Sequence, residues 1–228
     1  WYRPRAYYEA GGWRATWDGE GGGVLINQCP HQIDLLCWII GEMPSSVNAF
    51  CKYGKWHDIE VEDDVTAYFE YKNGATGVFI TTTGECPGSN RLEISGTKGK
   101  LLCENGKLKL YELEKDINEF SKENTAMFGK PGFTVTEIPL NEPSPEHVGI
   151  LNNFTQAILG KEQLFVSGRE GINGVRLMNA IEYSGWNGGE KEQIPVNLDK
   201  YLATLNENRK LTKQKNVEDK VADTIGTY

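Results

Sequence analysis

The sequence is poor in histidine, has no paired-thiol motif and contains no long apolar run. Its 228 residues include three histidines, three methionines and five cysteines. Cys29, Cys37, Cys51, Cys86 and Cys103 are odd in number and form no C-x-x-C pair. That argues against a disulfide framework and a zinc cluster, and leaves free thiols in a reducing cytoplasm as the expectation. No apolar run approaches the ~20 residues of a membrane span. No signal peptide is visible, although a start upstream of Trp1 would hide one. Acidic residues outnumber basic ones, 32 against 24, for a net charge of −8. Nucleic acids and anionic membranes want a basic surface, so neither is an expected partner. The glycine-rich stretches lack the G-x-G-x-x-G spacing after a strand, so no dinucleotide-binding unit is read. No internal repeat is evident.

What is present reads as helix, then strands, then helices. The first twenty residues are aromatic and glycine-rich without a clean period, which suggests an extended arm or loop. Residues 22–40 read as a helix ended by Gly41 and Pro44. Alternating segments follow at Val47–Lys52, Asp64–Tyr71 and Ala75–Thr83, the last two joined by an Asn73-Gly74 hairpin turn. Further strands are expected at Arg91–Ser95, Lys100–Cys103, Lys107–Glu112 and Thr134–Pro139, with a polar loop over 114–132. Helices are expected at Pro145–Leu159, capped by Ser144, and over 167–186, with Ser167 and Glu170 as a capping box. From Leu205 charge dominates, with only Val217, Val221 and Ile225 at helical spacing. The fold class is therefore α+β: an open, largely antiparallel sheet with helices packed on one face. Tyr68, Phe79 and the Thr81–Thr83 run are expected on the other face, covered by a second subunit.

One motif concentrates chemistry. The Gly21-Gly22-Gly23 triplet opens a segment carrying Asn27, His31 and Asp34. On a continuous helix, positions i, i+4 and i+7 share a narrow arc. That arc would hold an amide, an imidazole and a carboxylate, the materials of a proton-transfer site. Pro30 complicates it, because proline lacks an N–H and disfavours helical geometry at Cys29. The helix either kinks there or starts with Pro30 at its first position. In the second case Asn27 leaves the face.

The run Trp13-Arg14-Ala15-Thr16-Trp17, the glycine triplet and Asn27-x-x-x-His31-x-x-Asp34 together resemble the C-terminal domain of the Gfo/Idh/MocA oxidoreductases. That family includes glucose–fructose oxidoreductase and inositol dehydrogenase. The likeness extends to about Asp199 and takes in Glu62-Asp63-Asp64-Val65, the stretch Arg91 to Gly99 and Asn153-Phe154. It implies a glyceraldehyde-3-phosphate dehydrogenase-like C-terminal domain, with NAD or NADP bound mainly by a Rossmann domain that has no counterpart here. That domain would also supply a Glu-Lys-Pro lysine. The division expected is an arm over 1–20, a substrate and oligomerisation domain over 21–204, and a charged tail over 205–228. His31 is expected to accept a hydroxyl proton, with Asp34 orienting it or binding substrate, and with Asn27 as the third catalytic group. Asn27 stands where many members have aspartate, and an amide cannot act as a base. Trp13, Arg14, Trp17 and Gln28 are expected to bind a sugar or polyol substrate. Gly22 and Gly23 are expected to approach the cofactor, and no metal ligands are assigned. A homodimer or homotetramer through the sheet face is implied.

Two other functions remain open at this point. His31, Asp34, His57 and Glu60 could ligate zinc in a hydrolase, although no H-E-x-x-H is present. A non-catalytic sensor or assembly domain could keep the same fold, and Asn27 in place of aspartate is its support. His57 and His147 read as surface or capping residues. Glu85 and Cys86 close a strand, where ligand loops often sit.

Overall fold

Pro30 decides how the first helical segment is built. In a computed structural model describing residues 1–139, 144–213, 215 and 217, the segment divides into two helices at Gln28-Cys29. The element order is α1 (Arg5–Tyr8), α2 (Val24–Asn27), α3 (Pro30–Ile40), β1 (Ser46–Tyr53), β2 (Glu62–Glu70) and β3 (Thr76–Thr82). There follow β4 (Arg91–Gly96), β5 (Gly99–Glu104), β6 (Lys107–Leu113), α4 (Ile117–Glu123), β7 (Phe133–Ile138) and α5 (Glu146–Ile158). The last are α6 (Gly171–Trp186), β8 (Glu192–Gln193) and α7 (Leu198–Lys210). Pro30 sits at the first position of α3, where its missing N–H is no loss. Gly41 ends that helix in the left-handed region, φ +72°, and its N–H closes on the Cys37 carbonyl at 3.0 Å.

The chain forms two compact units: Trp1–Gly88 together with the segment from Val166 onward, and Ser89–Phe165. The first holds a four-stranded sheet in the order β3-β2-β1-β8, with every pair antiparallel. Strand alternation sends Val47 and Ala49 of β1, and Val65, Ala67 and Phe69 of β2, to one face. There they meet Ile33 of α3 and Leu177, Ala180 and Ile181 of α6 in one buried cluster. Beyond the short β8, the Ala49 N–H has no strand partner and instead donates to Ser184 Oγ of α6 at 2.8 Å. The opposite face carries Phe50, Tyr68, Val78 and Ile80, between 40 and 69% exposed. Phe79, Thr81 and Thr83 are not on that outer face. Thr81 and Thr83 are buried, and Phe79 packs on the core, because the β3 register pairs Ile80 with Thr66 and Val78 with Tyr68 outward.

The arm is folded rather than extended. Tyr8, Ala15 and Trp17 bury themselves with Val61 in a second cluster, which removes large aromatic surfaces from water. The other unit is an antiparallel meander, β4-β5-β6-β7, with tight turns between β4 and β5 and between β5 and β6, α4 in the connection from β6 to β7, and α5 after β7. Asp116 caps α4, accepting the Asn118 N–H at 2.9 Å within the stretch read as a polar loop. The α+β, antiparallel reading holds, with the strands divided between two sheets. Ser144 accepts the Glu146 N–H ahead of α5. Glu170 accepts both the N–H and hydroxyl of Ser167, but α6 begins only at Gly171. Residues 205–210 continue α7, and Val221 and Ile225 lie outside the described residues.

Candidate functional site

The polar network of the first unit is organised by the Tyr7 phenol on α1. Its hydroxyl donates to Asn27 Oδ1 at 2.7 Å and accepts from Arg14 Nη1 at 3.0 Å and Gln28 Nε2 at 2.9 Å. One donor and two acceptor sites are the full capacity of a hydroxyl. Gln28 also donates to Asn27 Oδ1, and Asn27 Nδ2 donates to the Glu20 carboxylate. Burial raises the Glu20 carboxyl against the opposing Ala15 N–H and Asn27 amide. The Arg14 guanidinium lies over the rings of Tyr7 and Trp13, each 4.6 Å from the centroid. Arg14 makes no ion pair among the described residues, and Trp13 is 47% exposed. The space beside the network, among Tyr7, Glu20, Gly23, Asn27 and Gln28, is about 10 Å³, because these side chains fill it themselves.

His31 and Asp34 lie on the exposed face of α3, one turn apart. Leu35, Trp38 and Ile39 continue that face. Among the described residues neither the His31 nor the Asp34 side chain makes a hydrogen bond or ion pair, so Asp34 does not hold the imidazole here. Asn27 is off their face, on α2, with its amide turned to Tyr7 and Glu20. The proline break is the reason. The structure therefore gathers Asn27, Gln28 and Arg14 into one network and leaves His31 and Asp34 as an open pair on the next helix.

Gly22 and Gly23 face inward, which corrects their reading as cofactor contacts. The Gly23 N–H lies 2.8 Å from both Glu62 oxygens, and the Leu25 N–H reaches Glu62 Oε1 at 3.0 Å. A Cβ on Gly22 would come within 2.5 Å of Glu182 Oε1, and one on Gly23 within 2.1 Å of the Glu62 carbonyl oxygen. Glycine is required here for close packing against the interior. Glu62 and Glu182 are both fully buried. Burial pushes Glu62 up to about 7 in spite of its backbone donors. Burial, then the Glu62 charge, raises Glu182 well above the usual carboxylate range, against the Tyr201 hydroxyl that donates to Oε2 at 2.7 Å.

Trp17 is a core residue, 7% exposed, with its ring 5.6 Å from Trp186 and 5.9 Å from Tyr53. It is thus not presented to a ligand. His57 is half-buried rather than superficial: Nε2 lies 2.7 Å from the Arg3 carbonyl and Nδ1 3.4 Å from Asp63. Asp63 accepts the N–H groups of Lys55, Trp56 and His57, so this cluster ties a loop to the arm. Glu85 N–H donates to the Trp1 carbonyl and Cys86 is exposed. His147 is exposed on α5. Among the described residues no three His, Cys, Asp or Glu side chains come together to hold a metal, so the hydrolase set is not assembled.

Tyr7, Glu20, Glu182 and Tyr201 are not singled out by the sequence, and Glu62 enters only within the Glu62–Val65 stretch of the resemblance. Glu182 carried a signal: it falls one and four residues after Ile181 and Met178, on the apolar face of a helix. A glutamate at an inward position is informative because it is rarely buried without a partner.

The model of the GFO/IDH/MocA C-terminal domain matches residues 1–102. The WlbA dehydrogenase from Bordetella pertussis, solved with NADH and UDP-GlcNAcA, is 27% identical, with a TM-score of 0.64 over 86% of this chain and 52% of its own. The WlbA enzyme from Chromobacterium violaceum, solved with the same two ligands, is 25% identical, TM-score 0.64, over 86% of this chain and 53% of its own. Aldose–aldose oxidoreductase from Caulobacter crescentus, solved with glycerol, shares the fold at 20% identity, TM-score 0.60, over 80% and 50%. The chain spans about half the length of these structures. No curated protein sequence matches it.

Proposed function

We propose, from the match of residues 1–102 to the model of the GFO/IDH/MocA C-terminal domain, that this chain is the substrate-binding and catalytic half of an NAD- or NADP-dependent oxidoreductase. Its substrate is a sugar, an inositol or a sugar derivative. The observation that carries this reading is the open His31–Asp34 pair on α3, directly following a network of Tyr7, Arg14, Asn27 and Gln28 on neighbouring elements. The ligands of the WlbA structures support it.

The described residues fit a nicotinamide ring edge and do not fit a diphosphate. Asn27 and His31 are exposed hydrogen-bonding groups, whereas the Gly23 and Leu25 N–H groups are engaged by Glu62. A bound nicotinamide supplies an acceptor for hydride. In this chain His31 takes the hydroxyl proton as the carbon bearing it is oxidised. Asp34, one turn on, steadies the resulting imidazolium or a neighbouring hydroxyl. The Asn27 and Gln28 amides bind further hydroxyls by exchanging their internal partners, and Arg14 between its two rings binds an oxygen-rich group. The exposed Trp13 ring suits the C–H face of a sugar.

A homodimer or homotetramer through Phe50, Tyr68, Val78 and Ile80 completes the proposal, supported by the exposure of that apolar face. A cytoplasmic setting is supported by five unpaired cysteines. No described helix is long and apolar enough to cross a membrane. The test is a panel of sugars, inositols and sugar acids offered with NAD or NADP to the natural full-length protein, followed by nicotinamide absorbance. Reduction with at least one polyol is expected. A protein that binds such ligands without turnover would point to the sensor reading instead.

A further inference from the structure

The glycine turn that opens α2 runs between two carboxylates from different elements, and among the described residues no cation accompanies them. Glu62 opens β2, and Glu182 lies on the buried side of α6. Glu62 meets donors: the Gly23 N–H reaches both of its oxygens and the Leu25 N–H one of them. Glu182 has the Tyr201 hydroxyl on Oε2, and its Oε1 has no hydrogen-bond partner. That bare oxygen abuts Gly22. Donors surrounding a carboxylate stabilise the anion, whereas a bare oxygen in a dry interior stabilises the acid. The titratable groups facing Glu182 are Glu62 from β2, Tyr201 from α7, and Cys51 and Tyr53 from β1. Glu20 from the arm acts on Glu62. All are neutral or anionic.

We propose that Glu182 is a positioning residue: it keeps its proton after Glu62 has ionised, and this one-proton pair fixes the Gly21–Gly23 turn and the Asn27–Gln28 amides that follow it. Ionising Glu182 sets a second negative charge against the first with no counter-ion between them. The part of the wall free to yield is the turn, which has no side chain. Because α2 is only four residues long, its C-terminal amides follow the turn. The proposal concerns the fold of this chain and stands whether or not its chemistry is a dehydrogenation.

The experiment is carbon-13 NMR of the glutamate carboxyls in the isolated chain, with the Asn27 and Gln28 side-chain amides followed through the same pH titration. Once Glu62 has ionised, one buried carboxyl should still resonate as the neutral acid, and Glu182→Gln should remove that signal. The pH-dependent movement of the two amides should vanish in Glu182→Gln while their wild-type positions are kept, because glutamine mimics the neutral acid. Tyr201→Phe provides a second assignment. It removes a donor to the anion, so the same titration should shift to higher pH. Ionisation of Glu182 before Glu62 in the wild-type spectrum would overturn the proposal. So would amide titration that persists unchanged in Glu182→Gln.

Discussion

The two units have sheets of equal strand number and very different interiors. In the first, α3 and α6 press on one sheet face, and Phe69, Ile33, Leu177 and Ile181 are fully buried. In the second, no described side chain is buried, and α5 exposes Val148, Leu151, Phe154 and Ile158. Strand pairing makes a sheet, but a second layer makes a core. The difference explains where the candidate site lies. Chemistry needs side chains held by packing on both sides, and every residue of the Tyr7 network, the α3 pair and the buried carboxylates belongs to the unit with the core.

The contrast can be broken most forcefully in the core. Leu177→Ala should cost about 2–5 kcal/mol in denaturant unfolding, whereas Leu101→Ala on the second sheet, 36% exposed, should cost under about 1 kcal/mol. Equal losses would mean the second unit has a hidden core of its own.

The buried carboxylates come next. The folded value of Glu62, about 7, lies above the ordinary 4.5. The folded state therefore holds more protons than the unfolded one between those values. This contribution to stability is fully present below the ordinary value and is lost as pH rises through the folded one, by at most about 1.4 kcal/mol per pH unit for each proton. Glu182, also raised by burial, adds a loss of the same sign. Unfolding at a series of pH values should show this decline, and Glu182→Gln should flatten it.

Asn27→Ala removes the acceptor of Tyr7 and Gln28 from an exposed position, so about 1 kcal/mol or less of stability is expected, with a larger loss in ligand binding. Ile80→Glu should leave the fold intact and lower the molecular mass seen by sedimentation if the outer sheet face is an interface. At the small end, Arg91→Ala in the second unit should not change stability measurably, since its pairs with Glu93 and Glu104 are solvated.

The strands and hairpins of both units were legible because alternation and Asn-Gly turns are local signals. So was the choice at Pro30, which the structure resolved toward a new helix start. The partition into two sheets was not legible, since strands of either sheet alternate alike and the long-range pairing of β8 with β1 rests on two residues. At the site, His31, Asp34, Asn27, Gln28 and Arg14 were visible as a motif. The inward turn of Gly22 and Gly23 was not, because its cause is Glu62 and Glu182, 39 residues or more away along the chain. Trp17 was misread for a related reason: an aromatic residue in an aperiodic arm gives no sign of the Trp186 it packs on.

The most direct test of the central claim is the turnover of His31→Asn in the natural full-length protein, with a substrate found from the panel. Loss of the proton acceptor should lower kcat by about 10²–10⁴-fold with the fold unchanged. Unchanged turnover would contradict the account, because His31 would then not be the proton acceptor.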